Sequence, residues 1–141
     1  MADESITWRP GGARVVAYAV AVAMVVLTIS IAVSLPDDIV FRPSEKITLV
    51  LILAATLFGL HGVGRSKVTA DSTGVRVVNG YRTRVVDWSD IEGFSMKAGA
   101  PWPTMVTTSD DRIILFGIQG TDGQFAADAV DELVRRLQDA R

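Results

Sequence analysis

The chain of 141 residues has no cysteine and a single histidine, His61. That inventory excludes disulfides, thiolate nucleophiles and cysteine-ligated zinc, and it leaves no histidine pair for a metal-hydrolase site. The glycine pattern of a P-loop is also missing. No basic stripe is interleaved with stacking aromatics, so nucleic-acid binding lacks its usual footprint. Asp87, Asp90 and Glu92 lie close in sequence, as do Asp110 and Asp111. Adjacent strand residues point to opposite faces, however, and acidic residues are common in turns. The sequence therefore reads as a protein with no catalytic residues, no metal site and no cofactor.

Charge is missing from two stretches. Val15 to Leu35 runs for 21 residues without a charge, and a helix of that length spans about 30 Å, the thickness of a bilayer core. Ile47 to Gly64 runs for 18 residues with His61 as its one ionisable group. Between them, Pro36 to Lys46 carries two prolines and five charges, a composition that ends one helix and begins another. The expectation is a transmembrane hairpin with helices at 15–35 and 47–64 and an external loop at 36–46. A cleaved signal peptide ending near Ala32 to Ser34 is the alternative for the first run. That run is longer than the roughly 7 to 15 residues of a signal core, and a second hydrophobic run follows it.

Basic residues near the helix ends set orientation. Arg9, Arg14, Arg65, Lys67 and Arg76 lie on the side of the termini, against Arg42 and Lys46 in the loop. The N-terminal segment 1–14 and the C-terminal region are therefore expected in the cytoplasm, with membrane lipids around the hairpin. Trp8 and Tyr18 flank the start of the first helix as interfacial aromatics do. Ala19 with Ala23 and Ala55 with Gly59 have the spacing that lets two membrane helices approach closely. His61 sits about one turn from its helix end, within reach of headgroups and water.

Beyond residue 65 the pattern changes to period two. "KVTAD", "VRVVNGY", "TRVVDW", "IEGFSM", "MVTT" and "IILF" read as six short strands separated by turn residues. Spacing this close requires antiparallel hairpins, since parallel neighbours need long crossovers. The period changes again at the end of the chain, where Phe125, Ala129, Leu133 and Leu137 recur every four residues. This predicts an amphipathic helix over about 122–140, opened by a Thr121–Gln124 capping box and closing one side of the sheet. Region 65–141 is thus a small antiparallel β domain with a C-terminal helix.

The order of two apolar helices, "VTADSTGVRVVNGYRTRVVDWSDIEGF", further strands and a terminal helix, with "WRP" at Trp8 to Pro10 before the first helix, resembles a known family. It is similar to the actinobacterial membrane-anchored bacterial PH-like domain proteins, in particular the low molecular weight protein antigen 6 group. The resemblance implies a pleckstrin-homology-like curved sheet capped by a helix. It implies neither catalytic residues nor a defined ligand.

Within that frame Trp88, Phe94, Phe125 and Leu133 are the expected core. The register of the Asn79–Gly80 hairpin stays open: one turn pairs Val77 with Arg82, the other with Arg84, and a slip by one residue would exchange the faces. The candidate binding surface is Arg76, Arg82 and Arg84 together with Trp102, which is held between Pro101 and Pro103. Guanidinium groups suit phosphates, and a proline-flanked tryptophan loses little entropy on binding a partner. The leading reading is a module that binds a protein partner at the membrane. A lipid-headgroup reader using the three arginines, an accessory subunit of a membrane complex and a homo-oligomer are the alternatives.

Overall fold

The computed structural model describes residues 4–141; residues 1–3 of the N-terminal segment lie outside it. Two long helices, α1 (Gly11–Ser34) and α2 (Pro43–Arg65), pack side by side as a hairpin. Both begin four residues earlier than their apolar runs. Pro43 sits at the first helical position, where its missing N–H costs nothing, and the Glu45 carboxylate accepts the Arg42 N–H at 2.8 Å. Both helices are long and apolar enough to cross a membrane, and the chain leaves their apolar surface uncovered. A helix buried inside a water-soluble core would have that surface covered.

Close packing between the helices does not use the Ala55–Gly59 pair. A Cβ at Gly59 would meet nothing within 4 Å. The tight approach lies at the end of α2, where a Cβ on Gly64 would fall 2.6 Å from the Tyr18 ring. The Tyr18 hydroxyl also bonds His61 Nδ1 at 3.1 Å.

The β domain contains seven strands, one more than the sequence pattern predicts. The extra strand, β1 (Ile6–Trp8), precedes the helical hairpin and pairs antiparallel with β2 (Lys67–Ala70), Trp8 lying opposite Val68. Both ends of the hairpin are thereby tied into one sheet. Trp8 is consequently a core residue, 6% exposed, and not an interfacial anchor. The sheet continues through β3 (Gly74–Asn79) to β4 (Arg82–Asp87), with strand order β1-β2-β3-β4.

Val77 pairs with Arg84. The two-residue loop is Gly80–Tyr81, one position beyond the Asn-Gly pair; only Gly80 has positive φ, at 62°. This is the type II′ pattern, which asks for glycine at the first central position and leaves Tyr81 free to carry a side chain. Trp88 begins a 3₁₀ turn and is buried, its indole N–H bonding the Asp71 carbonyl at 2.9 Å. A second antiparallel sheet follows, of β5 (Ile91–Ser95), β6 (Thr104–Thr107) and β7 (Arg112–Ile114), with a bulge between Ile91 and Gly93.

Helix α3 (Gln124–Asp139) packs on β5. Its buried positions are Ala126, Ala129, Leu133 and Leu137, whereas Phe125 is 50% exposed. A strict four-residue repeat drifts about 40° per step on a helix of 3.6 residues per turn, so Phe125 lies about 120° away from Leu137. The expected capping box is also replaced. Gly123, at φ 61°, is the N-cap, and the Gln124 side chain turns forward to Asp128 at 2.8 Å. The core is filled by residues of both sheets and α3, among them Trp8, Val75, Val77, Trp88, Met105 and Leu133, with Phe94 packed at its margin.

Candidate functional site

The β3–β4 hairpin tip is fastened to the end of α2. The Tyr81 ring stacks on Phe58 with centroids 4.1 Å apart, and its hydroxyl donates to the Phe58 carbonyl at 2.7 Å. The Arg65 guanidinium lies over the other part of this cluster, 5.0 Å from the Tyr81 ring centre. The Gly80 N–H donates to Ser66 Oγ at 3.0 Å, and that hydroxyl donates to the Gly62 carbonyl. Asn79 joins the tip to the second sheet: its Nδ2 donates to the Ile114 carbonyl at 2.6 Å, and its Oδ1 accepts the Phe116 N–H at 3.2 Å. Three neighbouring residues thus connect the helical hairpin, the first sheet and the second.

The predicted surface residues are distributed over different places. Arg76 pairs with Val85 on the outer face of the first sheet, while Arg82 and Arg84 share the face of Val77. The three arginines do not form one cluster. Trp102 folds back on Phe116 edge-to-face, with ring centroids 4.9 Å apart and an angle of 70°. Backbone bonds from Leu115 to the Pro103 carbonyl and from Gly120 to the Pro101 carbonyl hold that loop down.

Two concavities flank the first sheet. One, of about 400 Å³, lies between its outer face and the ends of α1 and α2, and it gathers Arg9, Arg14, Arg65, Lys67 and Arg76 over a floor of Tyr18 and Gly64. Among the described residues its lining contains no carboxylate. Among the described residues, the ion pairs are those of Glu132 with Arg135 and Arg136, far along the sequence in α3. The other concavity, of about 470 Å³, runs between the free edge of β4 and the β6–β7 hairpin. Arg84, Asp90 and Asp111 line it, and Val86 and Ile113 supply apolar contact.

The β1–β4 and β5–β7 sheets closed by a C-terminal helix define a PH-like module, carried here on an apolar helical hairpin. The chain belongs to the Bacterial PH domain family, whose model matches residues 65–136. It is 30% identical over 129 residues to the uncharacterized protein Rv1417 of Mycobacterium tuberculosis (strain ATCC 25618 / H37Rv). The same identity holds for the uncharacterized protein Mb1452 of Mycobacterium bovis. Each alignment covers 88% of this chain and 80% of the relative, a span that takes in the helical hairpin as well as the β domain. No solved structure matches the chain.

Basic side chains from two distant segments, 9–14 and 65–76, meet because β1 pairs with β2 and α1 packs on α2. In the sequence these five residues carry an orientation signal, and of them only Arg76 belongs to the candidate binding surface. The open β4 edge is visible only in the strand order.

Proposed function

We propose that the protein is a non-catalytic, membrane-anchored interaction module that binds an extended segment of a protein partner. Helices α1 and α2 serve as the anchor. The excess of Lys and Arg where both helices meet the β domain favours a cytoplasmic position for the module and both termini.

The observation that carries the reading is the free edge of β4 beside its groove. Among the described residues β4 pairs with β3 alone. Hydrogen bonding alternates along an antiparallel pair from the closing pair of a two-residue hairpin, here Asn79 with Arg82. Thr83, Val85 and Asp87 therefore direct their N–H and C=O groups away from β3, along the open edge. An added strand finds backbone partners there, side-chain contact at Val86 and Ile113, and charges of both signs in the groove lining. Arg82, Arg84 and Asp87 on the edge discourage indiscriminate pairing between copies.

The test is site-specific photo-crosslinking of the full chain in native membranes from position 108, which lines the groove beside β4, alone and combined with Val85→Pro. Proline removes an outward N–H and leaves the β3–β4 ladder intact. The expected result is a discrete protein adduct that V85P loses. An adduct indifferent to V85P would overturn the reading, as would the absence of any protein adduct.

A further inference from the structure

We infer that the basic cleft between the helix ends and the outer face of the first sheet binds the phosphate of an anionic glycerophospholipid. This inference rests on the anchoring part of the proposed function and concerns a different surface from the β4 edge.

Five of the fourteen basic residues of a chain with net charge −2 line this one cleft, and among the described residues no carboxylate does. Like charges gathered in a concavity repel one another, so the fold that collects them is stabilised by an anion placed between them. The floor is built as well as charged. Tyr18 is held by His61 and lies so close to Gly64 that a Cβ there would have to displace its ring, and Val78 is covered to 6% exposure although it lies on the outer face.

Arginines at four of the five positions offer the planar donor forks that suit phosphate oxygens, with Lys67 as an additional point charge. The position of the cleft selects a lipid over a free anion. Arg14 lies one turn inside α1 and Arg65 ends α2. Val15 and Val63, next to cleft residues in sequence, are exposed. A headgroup in the cleft leaves its acyl chains along the uncovered apolar surface of the hairpin, an arrangement closed to inorganic phosphate.

The experiment measures lipid retained per chain by native mass spectrometry of the full-length protein in non-ionic detergent. Dioctanoyl phosphatidylglycerol is titrated against dioctanoyl phosphatidylcholine and against inorganic phosphate. Saturable binding of one anionic lipid is expected, with little retention of the choline lipid. Arg76→Gln with Lys67→Gln should weaken it on the order of tenfold. Thr83→Glu, which places a carboxylate in the cleft without removing any basic residue, should do the same. Arg82→Gln with Arg84→Gln removes the same charge elsewhere and should leave binding unchanged.

Equal losses from both double variants would reduce the effect to diffuse charge and overturn the inference. Displacement of the lipid by inorganic phosphate at equal concentration would reassign the cleft to a free anion and overturn it too. Carbonate extraction of native membranes is run in parallel: a chain released by carbonate would refute the anchor while the detergent titration still judged the cleft.

Discussion

The Tyr81 hydroxyl donates a hydrogen bond to the backbone carbonyl of Phe58 at 2.7 Å while the two rings stack, 8° from parallel. One side chain at a hairpin tip therefore meets both the backbone and the side chain of a residue in the second apolar helix. The β domain is thereby attached to that helix by contact as well as by covalent connection, and its orientation follows that of the hairpin. The outer face of the first sheet is consequently held against the helix ends, and the basic cleft keeps its shape.

Tyr81→Ala removes the stacking, the hydrogen bond and the Arg65 contact together, a local loss on the order of 2 kcal/mol. Hydrogen exchange of the full chain should show the Gly80 amide, bonded to Ser66 Oγ, opening about thirtyfold more often. The buried amides around Val75 and Val77 should keep their protection. Tyr81→Phe retains the stack and should show roughly half of the effect in free energy. Unchanged exchange at Gly80 would mean that the tip is held by Ser66 and Asn79 alone.

Trp8 is the second point of attachment and the one most exposed to misreading. Its indole is in the core beside Val68, at the end of a three-residue strand. Trp8→Ala should therefore lower the stability of the β domain by about 3 kcal/mol through cavity formation, seen as a lower thermal midpoint of the full chain in detergent. An interfacial anchor would behave differently, since its loss would weaken membrane insertion and leave the melting of the β domain alone.

Much of this architecture follows from short-range pattern. The uncharged runs around Val15–Leu35 and Ile47–Gly64 state helix length directly, and alternation around Val75 and Val77 states which side faces the core. β1 was hidden because three residues are too few to establish a period, and its partner lies some sixty residues away across the hairpin. The basic cleft was hidden for a related reason: the helical hairpin brings Arg14 towards Arg65, and the β1–β2 pairing is what sets this pair against Lys67 and Arg76 on the sheet. The Asn79–Gly80 pair marked a turn correctly in place but one residue out of phase. Tyr81 docks on α2 from the second loop position, which a centred Asn-Gly turn would have moved.

The phase of α3 can be checked by two substitutions one residue apart. Ala126 is 1% exposed and Phe125 is 50% exposed. Ala126→Leu should overpack the interface and cost about 1–3 kcal/mol. Phe125→Ser should stay within about 0.5 kcal/mol of the parent in the same thermal measurement. The reverse ranking would put Phe125 on the buried stripe and rotate the helix from the position described.

Asp71 links the turn after β2 to pH. Its carboxylate accepts the Thr73 hydroxyl at 2.7 Å, the Thr73 N–H at 2.8 Å and the Gly74 N–H at 3.1 Å. The Thr73 hydroxyl bond is the largest cause holding its pKa below the ordinary value of 3.8, with the backbone bonds and Arg76 adding to it. Glu132 is held below 4.5 in the same sense, chiefly by its hydrogen bond from Arg136. A carboxylate whose pKa is lower in the folded state stabilises the fold fully above its unfolded value, and that contribution disappears as pH falls through the folded one. Stability of the β domain should therefore be level from about pH 7 to about pH 5 and decline below about pH 4. Asp71→Asn keeps an acceptor but loses the charge, so it should be about 1 kcal/mol less stable at neutral pH, with a shallower decline in acid. Denaturant midpoints of the full chain and D71N across this range check the sign, and parallel pH profiles would show that the Asp71 bonds contribute nothing that depends on its charge.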